Sequence, residues 1–561
     1  MRATIAENRT FVDLPLIVIV GEGPLAERVC AELTTTAGHS VHVLWPLSQG
    51  RRNVFERLGA SVETRDPDSD ESLTLAGIMT AEAILAVSDD DGLNLDVALR
   101  ARFLNPGIRV VLRQFNTILG RKIEQNLADC TVLSPAAHSA ATFAATGLNP
   151  ACFFALRFPE VDGAILGFVR GSAATLGLAA LSVEHAEQRI TGRVVAVNSE
   201  IAPALHRQLL SEDEVVLFAP IHATSRRGEA PLRDRPRHEM ERASGFQAAV
   251  MSLRRTNPIL RSLLLAAAAF FVFSFFYFHI VMGKTWVVSA LDVAETITNV
   301  GFRGDVAAQL GTVAIIGAIA TMLGGIIFMS IFIGYVSSAL TRAQYMAMQG
   351  LRKIRTRHHV VVCGAGQIGG LVADYIAATG KPVVVIEPNP EPGLIRRARE
   401  RRLDLLTGDA HSDDALTLAN IGEADGVIAL TNNDSVNLEI ALTARALHPD
   451  VPVVVRMERS DFARATARLF GITTYSPAAL SAPVIAALSR FPGTRGRVHF
   501  AGDDRMIAQR AQGERPERPP GALVALCAWR DGRLVWIRNF EEVQPFDVVL
   551  FFTSPSRNSV A

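Results

Sequence analysis

Cysteine is scarce and unpatterned. Cys30, Cys130, Cys152, Cys363 and Cys527 are spread over 561 positions in no Cys-x-x-Cys or metal-ligand spacing. An odd, thin set of this kind excludes a disulfide scaffold and suits a reducing compartment. A charge excess is missing as well. Lys plus Arg and Asp plus Glu both number 56. A nucleic-acid partner, which calls for a basic surplus, is therefore not expected. His138, His206, His222, His358 and His359 stand at no metal spacing with cysteines or carboxylates and read as solvated or packed imidazoles. No Ser-His-Asp arrangement and no nucleophile elbow is readable, so neither a catalytic residue set nor a metal site is expected. The first ten residues are mostly polar, and the apolar run Leu14–Val20 ends at Gly21, so no signal peptide is expected.

Charge is absent from two long stretches. Ser262–Met282 has 21 residues and no Asp, Glu, Lys or Arg. As a helix it would reach roughly 30 Å, one hydrocarbon thickness. Gly311–Leu340 is equally free of those four residues and long enough to span with tilt. Two membrane spans, 262–282 and 311–340, are expected inside a module of residues 258–342. Arg254, Arg255 and Arg261 precede the first run; Arg342, Arg352, Lys353, Arg355 and Arg357 follow the second. Basic flanks at both ends predict a multi-pass protein of the cell (inner) membrane with both termini cytoplasmic.

Between the runs, Trp286–Ile297 can form a short helix, followed by Thr298-Asn299-Val300-Gly301-Phe302-Arg303-Gly304-Asp305. Span, short helix, Thr-x-Val-Gly-aromatic strand and span together resemble the pore module of the potassium channel superfamily, whose filter reads Thr-Val-Gly-Tyr-Gly-Asp. The resemblance implies a re-entrant segment, 286–305. In it the backbone of Thr298, Asn299, Val300, Gly301 and Phe302 replaces the hydration shell of K+. Phe302 stands where Tyr is usual, Asn299 replaces a filter threonine, and Arg303 is inserted before Gly304-Asp305. A plain helical hairpin anchor is the other reading. Gly324 lies mid-way along the second run, where it fits either a gating hinge or close helix packing through small residues.

The soluble arms carry an internal repeat. Gly21-Glu22-Gly23-Pro24 follows the apolar strand Leu14–Val20; Gly364-Ala365-Gly366-Gln367-Ile368-Gly369 follows His359–Cys363. The same register pairs Ser88–Arg113 with Thr431–Arg456 and Asp66 with Asp409, and Val132–Ala141 pairs with Thr474–Pro483 one residue out of step. Strand, glycine turn and helix open a doubly wound nucleotide-binding fold. After each copy comes a smaller β-rich piece, with strands at Gly192–Val197 and Ser211–Pro220, and at Gly521–Leu526 and Val543–Phe552. This arrangement is similar to RCK units, regulators of potassium conductance, and to the nucleotide-binding subunits of bacterial potassium uptake systems.

The expected fold is thus two Rossmann-like α/β RCK domains, each with a small α+β C-terminal lobe, plus a two-helix transmembrane pore-like domain. The expected boundaries are 1–155 and 156–222 for the lobes of the first copy, 223–257 for a charged linker, 258–342 for the membrane module, 343–357 for a second linker, and 358–495 and 496–561 for the second copy.

In the second copy each glycine has a physical task. Gly364 permits the tight turn, Gly366 lets backbone approach a phosphate, and Gly369 allows close helix–strand packing. Glu387, 23 residues beyond Gly364, ends a strand and can accept from ribose hydroxyls. Asp409-Ala410 resembles the family's strand-end motif near adenosine, although a helix N-terminal carboxylate fits Asp409 equally well. Gly364, Gly366, Gln367, Ile368, Gly369, Glu387, Asp409 and Ala410 are the candidate cofactor residues. The resemblance implies NAD(H), ATP or ADP without choosing among them. The first copy has Gly23 and Ala26 at the last two glycine positions, and Leu44 or Trp45 where the ribose acid would fall, so it reads as a structural partner. Asp89-Asp90-Asp91 reads as a solvated loop or helix cap.

Functionally, the resemblance implies a nucleotide-regulated potassium channel or cation transport protein rather than an enzyme. Its cytoplasmic units would pair into a ring on a homotetramer. A non-conducting, membrane-anchored nucleotide sensor and an NAD-dependent oxidoreductase are the alternatives.

Overall fold

The computed structural model describes residues 15–37, 39–158, 164–221, 266, 269–298, 312–348, 354–513, 515–519 and 521–553. Two compact units divide the chain: Met1–Ala230 with Leu351–Ala561, and Pro231–Gly350.

In the first copy, β1 (Leu16–Val20), β2 (Ser40–Leu44), β3 (Ser61–Glu63), β4 (Ala83–Ala86), β5 (Arg109–Arg113) and β6 (Cys130–Leu133) form a parallel sheet of order β3-β2-β1-β4-β5-β6. Residues 17–20 of β1 are all buried because helices cover both faces of a doubly wound sheet. Helix α1 (Gly23–Ala31) follows β1, α2 (Asp91–Leu104) follows β4, and α3 (Pro135–Leu148) leaves β6. Asp90 is the N-cap of α2 and accepts from the N–H groups of Gly92 and Leu93, the cap reading of the Asp89–Asp91 run. An antiparallel lobe comes next, with β7 (Cys152–Phe158), β8 (Ala164–Ser172), β9 (Arg193–Val197), β10 (Glu200–Ile201) and β11 (Glu214–Pro220) in the order β10-β9-β11-β8-β7. The charged stretch 223–257 lies outside the described residues.

The second unit contains a helical stretch at 269–276 that ends in a π-helical turn, Tyr277–Val281. It continues with α4 (Trp286–Thr298) and α5 (Thr312–Met348). At 1.5 Å per residue, α5 would be roughly 55 Å long, and it continues through the start of the expected linker 343–357. Side chains of several α5 residues lie outside the described set. Among the described residues no helix is long and apolar enough to cross a membrane. Small residues let the helices of this unit approach. A Cβ on Gly324 would stand 2.7 Å from the Phe270 ring, and one on Gly317 would overlap Tyr277. The turn before α4 is tied to it by a part-buried Lys284–Asp292 ion pair.

The second copy repeats the first. Its sheet has the order β14-β13-β12-β15-β16-β17, from β12 (His359–Cys363), β13 (Val383–Glu387), β14 (Asp404–Thr407), β15 (Ala424–Ala429), β16 (Val453–Arg456) and β17 (Thr473–Tyr475). Helices α6 (Gln367–Ala378), α7 (Asp434–Leu447) and α8 (Pro477–Leu488) correspond to α1, α2 and α3. The C-terminal lobe holds β18 (Thr494–Phe500), β19 (Asp503–Ala511), β20 (Ala522–Arg530), β21 (Arg533–Trp536) and β22 (Val548–Thr553).

The two copies are built into one body by exchanging their last helices. Ala140, Phe143 and Ala144 of α3 pack into the core of the second sheet beside Val360, Val372 and Ile428. Ala482 and Ile485 of α8 pack into the core of the first, beside Leu25, Val29 and Leu85. The C-terminal lobes then share an aromatic core, in which Phe158 lies 4.5 Å from Trp529 and Phe168 lies 5.9 Å from Phe552, centroid to centroid. Ion pairs rim the junction: Arg497 with Glu32 at 2.7 Å and Arg538 with Glu187 at 2.6 Å.

Candidate functional site

A cavity of about 850 Å³ opens at the carboxyl ends of the second sheet, and both copies line it. Open α/β sheets hold ligands at such a position, where the strand order reverses. The reversal lies between β13 and β15, on either side of β12. The cavity crosses it, reaching from Glu387 and Asp409 on one side to Thr431, Asn433 and Arg456 on the other.

The glycine turn is shaped by two close approaches. Gly364 has φ +87°, a conformation that L side chains rarely adopt. A Cβ on Gly369 would overlap the Gly364 carbonyl oxygen, so only glycine lets α6 start this close to the strand. At Gly366 a Cβ would meet nothing within 4 Å, and this residue faces the cavity. The turn and the free N–H groups of the first turn of α6 form an anion cradle. Glu387, the last residue of β13, accepts from the Ala365 N–H through Oε2 at 2.7 Å and from the Asn389 N–H through Oε1 at 3.3 Å. These bonds fix its carboxylate at the lip of the turn, with lone pairs left for hydroxyl donors. Asp409 lines the cavity and meets His411 Nδ1 at 2.6 Å. The helix that follows it, Asp413–Leu418, is capped by Ser412 rather than by Asp409. Ala410, Gln367 and Ile368 also line the cavity; Gly369 packs behind it.

Sequence reasoning did not nominate Thr431, Asn433, Arg456 or Glu458, nor the wall of the first copy: Glu22, Pro24, Leu25, Asp89, Arg113, Pro135 and Ala136. The repeat register carried a signal for several of them, because Arg113 aligns with Arg456 and Asp89 with Asn432. Arg113 is paired with Asp89, and Arg456 lies 3.3 Å from Glu458. Beneath the cavity, fully buried Asn437 accepts from the Thr431 N–H at 2.9 Å and donates to the Thr431 and Arg456 carbonyls at 3.0 Å, locking two strand ends together. Asn94 makes the same bonds to Ser88 and Arg113 in the first copy.

The first copy has no matching cradle. The strands align without a gap, β2 at Ser40–Leu44 on β13 at Val383–Glu387, so Leu44 takes the place of the ribose acid and is fully buried. Its turn also follows another path: Gly23 has φ +85°, whereas Gly366 has φ −61°. The methyl of buried Ala26 stands where Gly369 makes room in the second copy. Among the nominated pore residues, Thr298 ends α4, while Asn299, Val300, Gly301 and Phe302 lie outside the described residues, as does Arg303.

The model of the TrkA-N domain matches residues 17–134 and 360–475. The chain carries two TrkA-N domains. Its TrkA-N domains are homologous to the RCK parts of potassium channel proteins. Potassium channel protein 1 of Methanocaldococcus jannaschii is 30% identical over 173 residues, which is 29% of this chain and 50% of that protein. The Trk system potassium uptake protein TrkA homolog of Pyrococcus abyssi is 35% identical over 103 residues, 18% of this chain and 43% of its own length. The chain thus spans about half the length of the curated relatives it matches. A solved structure of the GsuK channel bound to NAD shares the fold, with TM-score 0.51 at 13% identity, over 97% of this chain and 77% of that one.

Proposed function

We propose that the protein is a nucleotide-regulated potassium channel or cation-transport protein of the cell membrane, with its TrkA-N domains on the cytoplasmic side. The observation that carries this reading is the cavity between paired TrkA-N domains, lined by the Gly364–Gly366 turn, Glu387 and Asp409. Adenosine would lie toward Asp409, its ribose on Glu387, and its phosphates on the turn and the start of α6. Bound nucleotide would contact both copies, so it can favour one relative arrangement of them over another. Only such a difference in affinity can shift an equilibrium.

The apolar runs 262–282 and 311–340 would span the bilayer, and residues 298–302 would coordinate K+ as the permeant ion. Each chain has one filter segment, so four chains would close a pore and bring eight TrkA-N domains into a ring. Gly324, pressed against Phe270, would be a site where α5 bends or shifts. Arg303 supports a second reading, a non-conducting membrane-anchored sensor, because a guanidinium at the pore mouth repels cations. Flux of K+ into liposomes holding the purified protein, with and without NAD+ or ADP, tests the proposal. Nucleotide-dependent flux supports the channel, and binding without flux supports the sensor.

A further inference from the structure

The charge lining the cavity bears on which nucleotide it takes. Its carboxylates are Glu22, Asp89, Glu387, Asp409 and Glu458, and its guanidiniums are Arg113 and Arg456. Both guanidiniums are already engaged, Arg113 by Asp89 and Arg456 by Glu458, while Glu22 has Arg51 3.5 Å away, outside the lining. The glycine turn offers Gln367 rather than a cation. A polyphosphate tail would therefore enter a lining rich in carboxylates whose cations are spoken for. Two of these carboxylates come from the first copy, and the repeat has neutral residues at the aligned positions of the second: Ala365 for Glu22 and Asn432 for Asp89. The cavity also reaches past the glycine turn across both halves of the second sheet, which suits a ligand with a second half beyond its pyrophosphate.

We propose that Glu22 and Asp89 make the first TrkA-N domain a charge selector for the site in the second, favouring the oxidised nicotinamide dinucleotide over nucleoside di- and triphosphates. This rests on the nucleotide reading of the cavity. All these ligands share the adenosine half, which the second copy holds. They differ at the far end, where the dinucleotide presents a cationic ring and the others present phosphate charge. Carboxylates on that wall attract the first and repel the second. Asp89 acts by occupying Arg113, which would otherwise be free to pair with phosphate.

The test uses the full-length protein and calorimetric titration with NAD+, ADP, ATP and adenosine. The wild type is expected to bind NAD+ at least about tenfold more tightly than ATP. Glu22→Ala and Asp89→Asn, each taken from the other copy, are expected to raise ATP affinity about fivefold to tenfold, lower that for NAD+, and move adenosine less than about twofold. Adding Arg113→Ala to Asp89→Asn should remove most of the ATP gain. Tighter wild-type binding of ATP than of NAD+ overturns the selector, as do substitutions that shift all four ligands alike or none. If the wild type binds none of the four, the nucleotide reading falls and the selector with it; adenosine binding without discrimination sinks the selector alone. Glu22→Gln, which keeps size and removes charge, must reproduce the effect of Glu22→Ala.

Discussion

Helices α1 and α6 each follow a glycine turn at a strand end, but the two turns take different paths and are lined by different residues. In the second copy Gly369 lets the helix touch the Gly364 carbonyl, and Glu387 reaches back to the turn. In the first, Ala26 and Leu44 fill the equivalent places and the turn runs through a left-handed Gly23. Both copies nevertheless keep the sheet order and the buried asparagine that ties two strand ends together. Scaffold and glycine turn are therefore separable. The first is maintained by core packing, which both copies need. The second depends on a few atoms at one rim, which only one copy keeps.

The strongest way to break this contrast is Gly369→Ala. The new Cβ would collide with backbone that cannot turn aside, and the substitution should cost about 3–4 kcal/mol and abolish nucleotide binding. Ala26→Gly should cost about 1–2 kcal/mol, from helix propensity and the loss of one buried methyl. Thermal unfolding and ligand titration of both variants would check this pair.

Acid exposes another asymmetry. His138 of α3 lies where α8 has Leu480, and burial pushes its pKa down to about 4, with a backbone hydrogen bond to Leu480 opposing the shift and Arg495 adding to it. The unfolded chain, with its ordinary value near 6.5, takes up this proton first. Stability should therefore fall as pH drops from about 6.5 to 4, by up to about 3 kcal/mol. His138→Leu should flatten the pH dependence of unfolding over that window.

The asparagines test equivalence rather than difference. Asn94→Ala and Asn437→Ala should each cost about 2 kcal/mol, since each strands buried backbone groups. Unequal melting shifts would show that the copies depend on this tie differently. Smallest of all, Glu32→Ala, which removes the nearer of two carboxylates beside Arg497 and leaves Asp504 at 3.7 Å, should cost less than about 1 kcal/mol in denaturant unfolding.

Several features were legible from local pattern. The strands β1 and β12 are short apolar runs ended by glycine, and Gly364, Gly366 and Glu387 follow from the chemistry of one turn and one strand end. The repeat register also anticipated the correspondence of the two sheets. It left the partner of Glu387 between Leu44 and Trp45, and the strand register of the structure decides for Leu44. Asp409 stayed ambiguous because a carboxylate before a helix looks the same whether it caps or faces a cleft; Ser412 holds the cap. That Glu22, Asp89 and Arg113 border a cleft of the other copy was not legible from their local sequence; only the repeat register, which aligns Arg113 with Arg456 and Asp89 with Asn432, carried a signal.

By itself the amino-acid order determined that there are two like α/β halves, that one keeps all three glycines of its turn, and that two uncharged runs separate them. These are properties of periodicity and spacing, which are written over ten or twenty residues. Only the tertiary structure decided that α3 and α8 change places and that the altered half supplies part of the wall of the intact one. That outcome depends on side chains more than three hundred positions apart, such as Phe143 and Tyr475, whose rings pack edge-on with centroids 5.7 Å apart. Such pairings are chosen by the shape and charge of whole packed faces, and no local stretch encodes them.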